Sequence, residues 1–446
     1  MSGTFAGERA LVVGLGVAGS AAARALAIEG ATVRVVDRRE DATVSDDLRG
    51  LGVDARLGEH APGDLDGVTL VVTSPGVPND APIVRWAREL GLPIWGELEL
   101  GARLARVPYL AITGTNGKTT TTGMLASCLA AAGIDAPACG NIGYPFPTAA
   151  LETHDALVVE ASSFQLEVQT SFHPRVSVLL NLAPDHLDRH GTFEAYADAK
   201  RSVFSRQAGD DVHVGNRDDE RAAAISRQAR CDVRWFTLDE PGAGEVGFVG
   251  RALTARWDHA PEVLGALAVD TPATRADAAA AAAAANAFGV DGDGIRAGLA
   301  SFVPARHRGE IVATIDGVRF VDNSKATNPH ATLAAIGDAE GTVLIAGGDA
   351  KGVDLTPIGV LAPRLAGVVA LGASAGQVVR IFEGRVPTRT ADSIEDAVRM
   401  AFELAPRPGT VLLAPACASW DMFHDYGERG DRFAQAARAV GERASA

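Results

Sequence analysis

Lys118 and Thr119 lie in the run Gly114-Thr115-Asn116-Gly117-Lys118-Thr119-Thr120, between the apolar stretch Tyr109 to Thr113 and a helix-forming stretch that ends near Gly133. Main-chain N–H groups of such a loop can cradle phosphates. The Lys118 ammonium can reach β- and γ-phosphoryl oxygens, and the Thr119 hydroxyl can hold Mg2+. The usual loop has a glycine where this chain has Ile112, so this is a shortened variant. A second turn, Gly14-Leu15-Gly16-Val17-Ala18-Gly19, also joins an apolar stretch to a helix, and Asp37 follows at the end of the next strand. Those glycines suit a pyrophosphate at a helix N-terminus, and Asp37 suits a ribose or a base. The pattern names only a diphosphate-bearing ligand: NAD(P), another nucleotide and a plain packing turn all stay open.

Further reactive side chains follow strand ends. Glu160 closes the apolar run Ala156 to Val159, where a carboxylate beside a phosphate loop is placed to ligate Mg2+; Ser162, Ser163 and Gln165 follow as polar contacts. The loop NLAPDHLDRH crowds Asp185, His186, Asp188 and His190, a donor mix suited to a divalent ion or to catalysis. Thr192 reads as a helix N-cap, and Phe193, Tyr196, Lys200, Val203 and Phe204 then fall on one helical face. Lys200 therefore sits on an apolar face, where an ammonium must snorkel, pair with an acid or be chemically modified. Later in the chain, Arg306-His307-Arg308, Asp322 to Asn328, Gly347 to Lys351, and Ser419 with Tyr426 gather polar groups after short strands. Lys325 and Lys351 could hold an anionic substrate such as an amino dicarboxylate.

Elements that can position these groups alternate from end to end: short apolar runs, then amphipathic helical patterns. The fold class is α/β with parallel sheets, in three blocks: 1–107, Rossmann-like; 108–305, carrying the phosphate loop; and 306–446, again a Rossmann-like α/β arrangement. At 446 residues and 47% apolar composition the chain can bury several cores. Its 41 basic and 56 acidic residues leave a net charge of −15, which argues against sequence-independent nucleic-acid binding. The four cysteines, Cys128, Cys139, Cys231 and Cys417, form neither a disulfide framework nor a zinc pattern, which fits a reducing cytosol. No signal peptide or membrane span is expected; Ala278 to Ala285 is helix-prone but short.

The series GTNGKTT, NLAPDHLDRH, YADAK, DNSKATN and GGDAK, in that order, resembles the Mur ligases. GLGVAG with Asp37, Ser74-Pro75-Gly76, CGNIG at Cys139 to Gly143, EASSFQLE from Glu160 and ACAS at Ala416 to Ser419 strengthen the likeness. The resemblance implies a three-domain cytoplasmic monomer of peptidoglycan precursor synthesis. It would use ATP and two Mg2+ to join D-glutamate to UDP-N-acetylmuramoyl-L-alanine through an acyl phosphate. It further implies that Gly14 to Gly19, Asp37 and Ser74, Pro75 and Gly76 hold the UDP part, and that Asn141 touches the substrate. Lys118, Thr119 and Thr120 would hold the ATP phosphates, with Arg308, Asn323 and Lys325 facing ATP from the third domain. Thr119 and Glu160 would serve one Mg2+, and His186 a second, with Lys200 as an N-carboxylated lysine. Thr327, Lys351, Ser419 and Tyr426 would bind glutamate. The chain departs from the family pattern at Asn323, where an Asp is usual and the neighbouring Asp322 is exchanged with it. It departs again at Thr274-Arg275-Ala276-Asp277, in place of a His-Asn…Asn pattern for the adenine, and at Trp420.

Overall fold

Apolar runs of four to six residues become strands buried on both faces, the arrangement that parallel sheets require. Leu110, Ala111 and Ile112 are fully buried, as are Val343, Leu344 and Ile345. The computed structural model describes residues 3–257, 260–267, 271–336 and 341–444. They contain three sheets.

The first sheet orders its five parallel strands Asp54–Leu57, Thr32–Asp37, Arg9–Val13, Leu70–Thr73 and Ile94–Gly96. The second has nine strands. From one edge they run Ala138–Gly140, Leu157–Glu160, Tyr109–Thr113, Val176–Leu179, Gly209–Asn216, Cys231–Phe236 and Glu245–Val249, all in parallel pairs, then Ala252–Arg256 and Glu262–Ala266. The third orders Glu310–Ile315, Val318–Asp322, Gly409–Leu413, Thr342–Ala346, Leu365–Leu371 and Thr388–Ala391.

The parallel sheets expected from the sequence carry antiparallel additions at two edges. Glu245–Val249, Ala252–Arg256 and Glu262–Ala266 form an antiparallel meander, and Glu310–Ile315 pairs antiparallel with Val318–Asp322. Asp316 and Gly317, both at positive φ, make the second hairpin's turn. A two-residue Asp-Gly connection favours that geometry because its twist matches that of the strands.

By contacts the chain forms two compact units. One comprises Met1–Leu182, Ala197–Ala266 and Asp277–Phe302, and holds the first two sheets; the other comprises Ala183–Tyr196, Leu267–Ala276 and Val303–Ala446, and holds the third. Within the first unit one core runs from Val12 and Leu26 through Leu98 and Leu100 to Phe146 and Phe172. In the helix Pro272–Ala287, Ala278 to Ala285 are all buried; methyl side chains let that helix approach its neighbours closely. Among the described residues no helix is long and apolar enough to cross a membrane.

Glu99, in the helix Glu97–Leu104, is fully buried and anchors this core. Its carboxylate accepts from the amides and hydroxyls of Thr170 and Ser171, at 2.7–2.8 Å, and from Arg103 Nε at 2.7 Å. Burial pushes its pKa up, but the bonds from Ser171 and Thr170 outweigh that and bring it from 4.5 down to about 2. The folded value is depressed, so the stabilisation is complete above pH 4.5 and fades as pH falls toward 2. Glu99→Gln is expected to cost on the order of 3 kcal/mol at pH 7. Urea unfolding of parent and variant across this range should show the two curves converging on the acid side; a constant gap would reject this account.

Candidate active site

The phosphate loop keeps its shape because two of its glycines occupy backbone regions closed to other residues. Gly114 has φ +155 and Gly117 φ +86. A Cβ on Gly117 would fall 2.2 Å from Asp277 Oδ1. The loop is braced from the next strand's end: Thr115 N donates to Asn181 O at 3.0 Å and Asn116 N to Asn181 Oδ1 at 2.9 Å. The helix Lys118–Ala131 starts where expected, with Thr119 and Thr120 half-buried in its first turn. Lys118 Nζ donates to the carbonyls of Gly114, at 3.0 Å, and Thr115, at 2.9 Å. Lys200 Nζ donates to the same Gly114 carbonyl at 2.7 Å.

The helix Phe193–Arg201 carries Lys200 there, and Thr192 Oγ1 accepts from Ala195 N at its start, as an N-cap does. Lys200 is 1% exposed, beside buried Tyr196, Val203 and Phe204. The apolar-face position read from the sequence is therefore a real burial. Two lysine side chains thus donate to one carbonyl oxygen, which puts basic groups beside the phosphate loop, where they suit a polyanionic phosphate chain.

Glu160 ends its strand with its side chain buried, 2% exposed. Oε1 accepts from Asn141 Nδ2 at 2.9 Å, whereas Oε2 is buried without a hydrogen-bond partner. A buried, unsatisfied carboxylate oxygen is costly, and a hard divalent cation is the ligand that would satisfy it. Gly140 lets the Asn141 loop come close: at φ +91, its Cβ would lie 2.4 Å from Glu160 O. Ser162 and Gln165 also serve the backbone. They form a capping box for the short helix Ser163–Leu166, Ser162 N to Gln165 Oε1 at 2.9 Å and Gln165 N to Ser162 Oγ at 3.3 Å. Ser163 is buried at the first position of that helix.

In the first sheet, Gly14 takes φ +95 and Gly19 packs so tightly that a Cβ would fall 1.8 Å from Gly14 O. Ser74 Oγ donates to the same oxygen at 3.2 Å, and Pro75 and Gly76 carry the chain on from there. Nothing lies within 4 Å of an added Cβ on Gly16, and Val17 is 68% exposed, so the turn presents an open rim. Asp37 braces the turn, accepting from Leu15 N at 2.7 Å. Arg39 grips both its oxygens, at 3.1 and 2.9 Å, and holds its carboxyl down to about 2. The sequence reading missed Arg39; its place two residues past a strand-end acid was the available signal.

In the second unit, Asp185 accepts from Asn328 Nδ2 at 3.1 Å and pairs with Lys351 Nζ at 3.6 Å. Burial works against its charge, but His186 and Lys351 outweigh burial and keep its carboxyl below the ordinary range. His186 adopts φ +53 and starts the short helix Leu187–His190, and His190 packs edge-on against Tyr196. The Asp188 side chain lies outside the described residues. Among the described residues no three His, Cys, Asp or Glu side chains gather as a metal cage.

Lys325 Nζ stands 3.8 Å from the centre of the Tyr426 ring. Asn323 N donates to Leu413 O at 2.9 Å and Thr327 N to Lys325 O at 2.8 Å. Arg308, partly buried, follows His307, whose Nδ1 lies 2.7 Å from Asp322 Oδ2. Asp322 is thus turned inward, with burial raising its pKa, while Asn323 remains partly exposed. Lys351 holds φ +49 after Gly347 and Gly348, and Asp349 exchanges backbone hydrogen bonds with Ala418, next to buried Ser419. Buried Arg429, also missed from sequence, ties these loops together through the carbonyls of Ser324, Cys417 and Ala418.

Residues 8–96 match the family model for the Mur ligase MurD-like N-terminal domain, and residues 112–246 that for the Mur ligase middle domain. A UDP-N-acetylmuramoylalanine–D-glutamate ligase from Frankia casuarinae is 43% identical, covering 98% of this chain and 95% of its own. One of the same name from Streptomyces avermitilis is 42% identical, covering 98% and 99%. The chain belongs to the Mur ligase family.

Solved structures agree on the fold of this Mur ligase. A MurF ligase from Thermotoga maritima in complex with ADP superposes with TM-score 0.61 at 18% identity, over 99% of this chain and 96% of that one. A UDP-N-acetylmuramate-alanine ligase from the same organism gives 0.61 at 18%, over 97% and 99%. The three-domain α/β class expected from the sequence is therefore the class this Mur ligase has. Mur ligases are ATP-dependent ligases, and so is this enzyme.

Proposed function

We propose that this Mur ligase joins D-glutamate to the L-alanyl carboxylate of UDP-N-acetylmuramoyl-L-alanine, a step of peptidoglycan precursor synthesis. Supporting this above all is the full-length likeness to ligases named for that reaction, at 42–43% identity. The domains are drawn at 1–107 for the UDP-bearing substrate, 108–305 for ATP and 306–446 for the amino acid. A substrate carboxylate oxygen attacks the γ-phosphorus of ATP, the bond to the β-phosphate oxygen breaks, and ADP leaves. The glutamate amine, having lost a proton, attacks the acyl phosphate carbonyl, and the C–O bond to phosphate breaks.

The chain's work is positioning and charge neutralisation. Backbone amides of Gly114 to Thr120 hold the phosphates, and Lys118 moves from the loop carbonyls to the phosphoryl oxygens. Thr119 and Glu160 are the groups to hold one Mg2+, whose chemistry is to neutralise phosphoryl charge; the unsatisfied Glu160 Oε2 suits it. His186 and Lys200 would serve a second Mg2+, with Lys200 carboxylated on Nζ so that it contributes oxygen ligands in place of a positive charge. Arg308, Asn323 and Lys325 face ATP; Thr327, Lys351, Ser419 and Tyr426 receive the glutamate carboxylates. Gly14 to Gly19, Asp37, Ser74 to Gly76, Asn141 and the Ser162 to Gln165 turn hold the UDP substrate. The enzyme acts as a monomer in the cytoplasm.

A coupled assay for ADP tests the reading. Release is expected only when UDP-N-acetylmuramoyl-L-alanine and D-glutamate are both present, with L-glutamate at least a hundredfold poorer in kcat/KM. Preference for L-glutamate would replace the substrate assignment, and ADP release without either substrate would remove the ligase reaction.

A further inference from the structure

Glu97 is the first residue of the helix Glu97–Leu104 and follows directly from Ile94–Gly96, an edge strand of the first sheet. Its side chain is 3% exposed, yet it belongs to none of the groups assigned above to substrate, ATP or metal. Each carboxylate oxygen takes one donor from a different segment. Oε1 accepts from Phe146 N at 2.9 Å and Oε2 from Gln165 Nε2 at 2.7 Å.

These two segments are the ones that flank Glu160. Phe146 begins the helix Phe146–Leu151, directly after the loop that carries Asn141. That loop is closed on itself by Gly140 N to Tyr144 O and Ile142 N to Gly140 O, both 2.8 Å, so anchoring Phe146 anchors Asn141. Asn141 in turn bonds Glu160 twice, backbone N to O at 3.0 Å and Nδ2 to Oε1 at 2.9 Å. Gln165 closes the turn that leaves Glu160, its Oε1 held by Ser162 N and Ser162 Oγ, both at 2.9 Å. A single carboxylate therefore fixes the spacing of the two loops that aim Glu160, and it sits directly after an edge strand of the sheet assigned to the UDP-bearing substrate.

We propose that Glu97 is a positioning residue for the metal-binding carboxylate: by accepting from Phe146 and Gln165 it holds the Asn141 and Ser162 loops in the register that presents Glu160 to Mg2+, and it links that register to the substrate-binding sheet. The inference rests on the proposed function for Glu160 and reaches beyond it to a residue outside the site. Partners one shell removed from a metal typically affect affinity tenfold to a hundredfold.

The test is a reciprocal exchange. Glu97→Gln keeps the shape but turns one acceptor into a donor facing Gln165 Nε2. It is expected to raise the Mg2+ concentration for half-maximal rate about tenfold, to lower kcat/KM for the UDP substrate by a similar factor, and to leave KM for D-glutamate within about twofold. Adding Gln165→Glu restores a donor–acceptor pair with the roles reversed, and should recover most of the Mg2+ response. Binding of Mn2+ in the presence of ADP, followed by loss of the free-ion electron paramagnetic resonance signal, should show the same loss and recovery without turnover. If Glu97→Gln does not fold, Glu97→Asp, which keeps both acceptors but withdraws them by one methylene, should give a smaller shift in the same direction. Metal responses within twofold of the parent in the folded variant, or a double variant no better than the single one, would overturn the proposal. If the parent releases no ADP with D-glutamate, the ligase reading fails by itself, and the Mn2+ measurement still decides the role of Glu97.

Discussion

Lys200→Ala is expected to lower kcat by on the order of a thousandfold, with the fold retained, and to regain part of the loss when formate or acetate is added. Lys200 Nζ and Lys118 Nζ meet at the Gly114 carbonyl, 2.7 and 3.0 Å away, and Lys200 is almost wholly buried. Both lysine ends bond the same oxygen, so a change of charge on Lys200 is felt by Lys118. A neutral amine adds CO2 and releases a proton, which gives a carbamate and replaces a positive charge with a negative one. The carbamate would attract Lys118 and offer oxygens to a divalent ion. Alanine removes the stem and leaves room for a small carboxylate at the same place. Kinetics with and without 100 mM-range formate, together with circular dichroism, check the outcome. Full activity of the variant with no addition would remove the carbamate; loss without any rescue, in a variant that has lost its melting transition, would assign Lys200 to packing instead.

What the residues disclose of the fold and the site follows the range of each interaction. The strand, turn and helix around Gly114 to Lys118 were legible because positive φ at Gly114 and Gly117 leaves glycine as the fitting residue, and the apolar run before them has no other use. Lys200 was legible through helical spacing alone, since Tyr196, Val203 and Phe204 mark the buried face. Ser162 and Gln165 show the opposite case. Their spacing is a capping-box pattern, a local signal; its structural use was passed over for a substrate contact. The Asp316-Gly317 turn was likewise a local signal left unread. Asp185 was legible only in part: His186, which helps to hold its charge, is its neighbour in the chain, but Asn328 and Lys351 are supplied by distant loops. The same holds for Arg429, whose acceptors lie on loops after two different strands.

Glu160→Gln is the second change expected to have a large effect, a loss of about a hundredfold to a thousandfold in kcat, with the Mg2+ requirement raised. The reason lies in the two oxygens. Oε1 is committed to Asn141 Nδ2, which can only donate, so the new amide must turn its carbonyl toward Asn141. Its NH2 group then occupies the place of Oε2, the buried oxygen that has no partner. A donor in that slot repels a cation where an acceptor was waiting for one, although shape and volume hardly change. The effect should therefore fall on metal-dependent steps and not on stability: the melting temperature stays level or rises, because a desolvated charge has been removed. Glu160→Asp retains the charge but withdraws it by one methylene, and should be intermediate. Rates titrated against Mg2+ for the parent and both variants give the order to be compared. A Gln variant with the parent's Mg2+ response would mean that Glu160 serves only to hold Asn141, and the metal would have to be sought on other side chains.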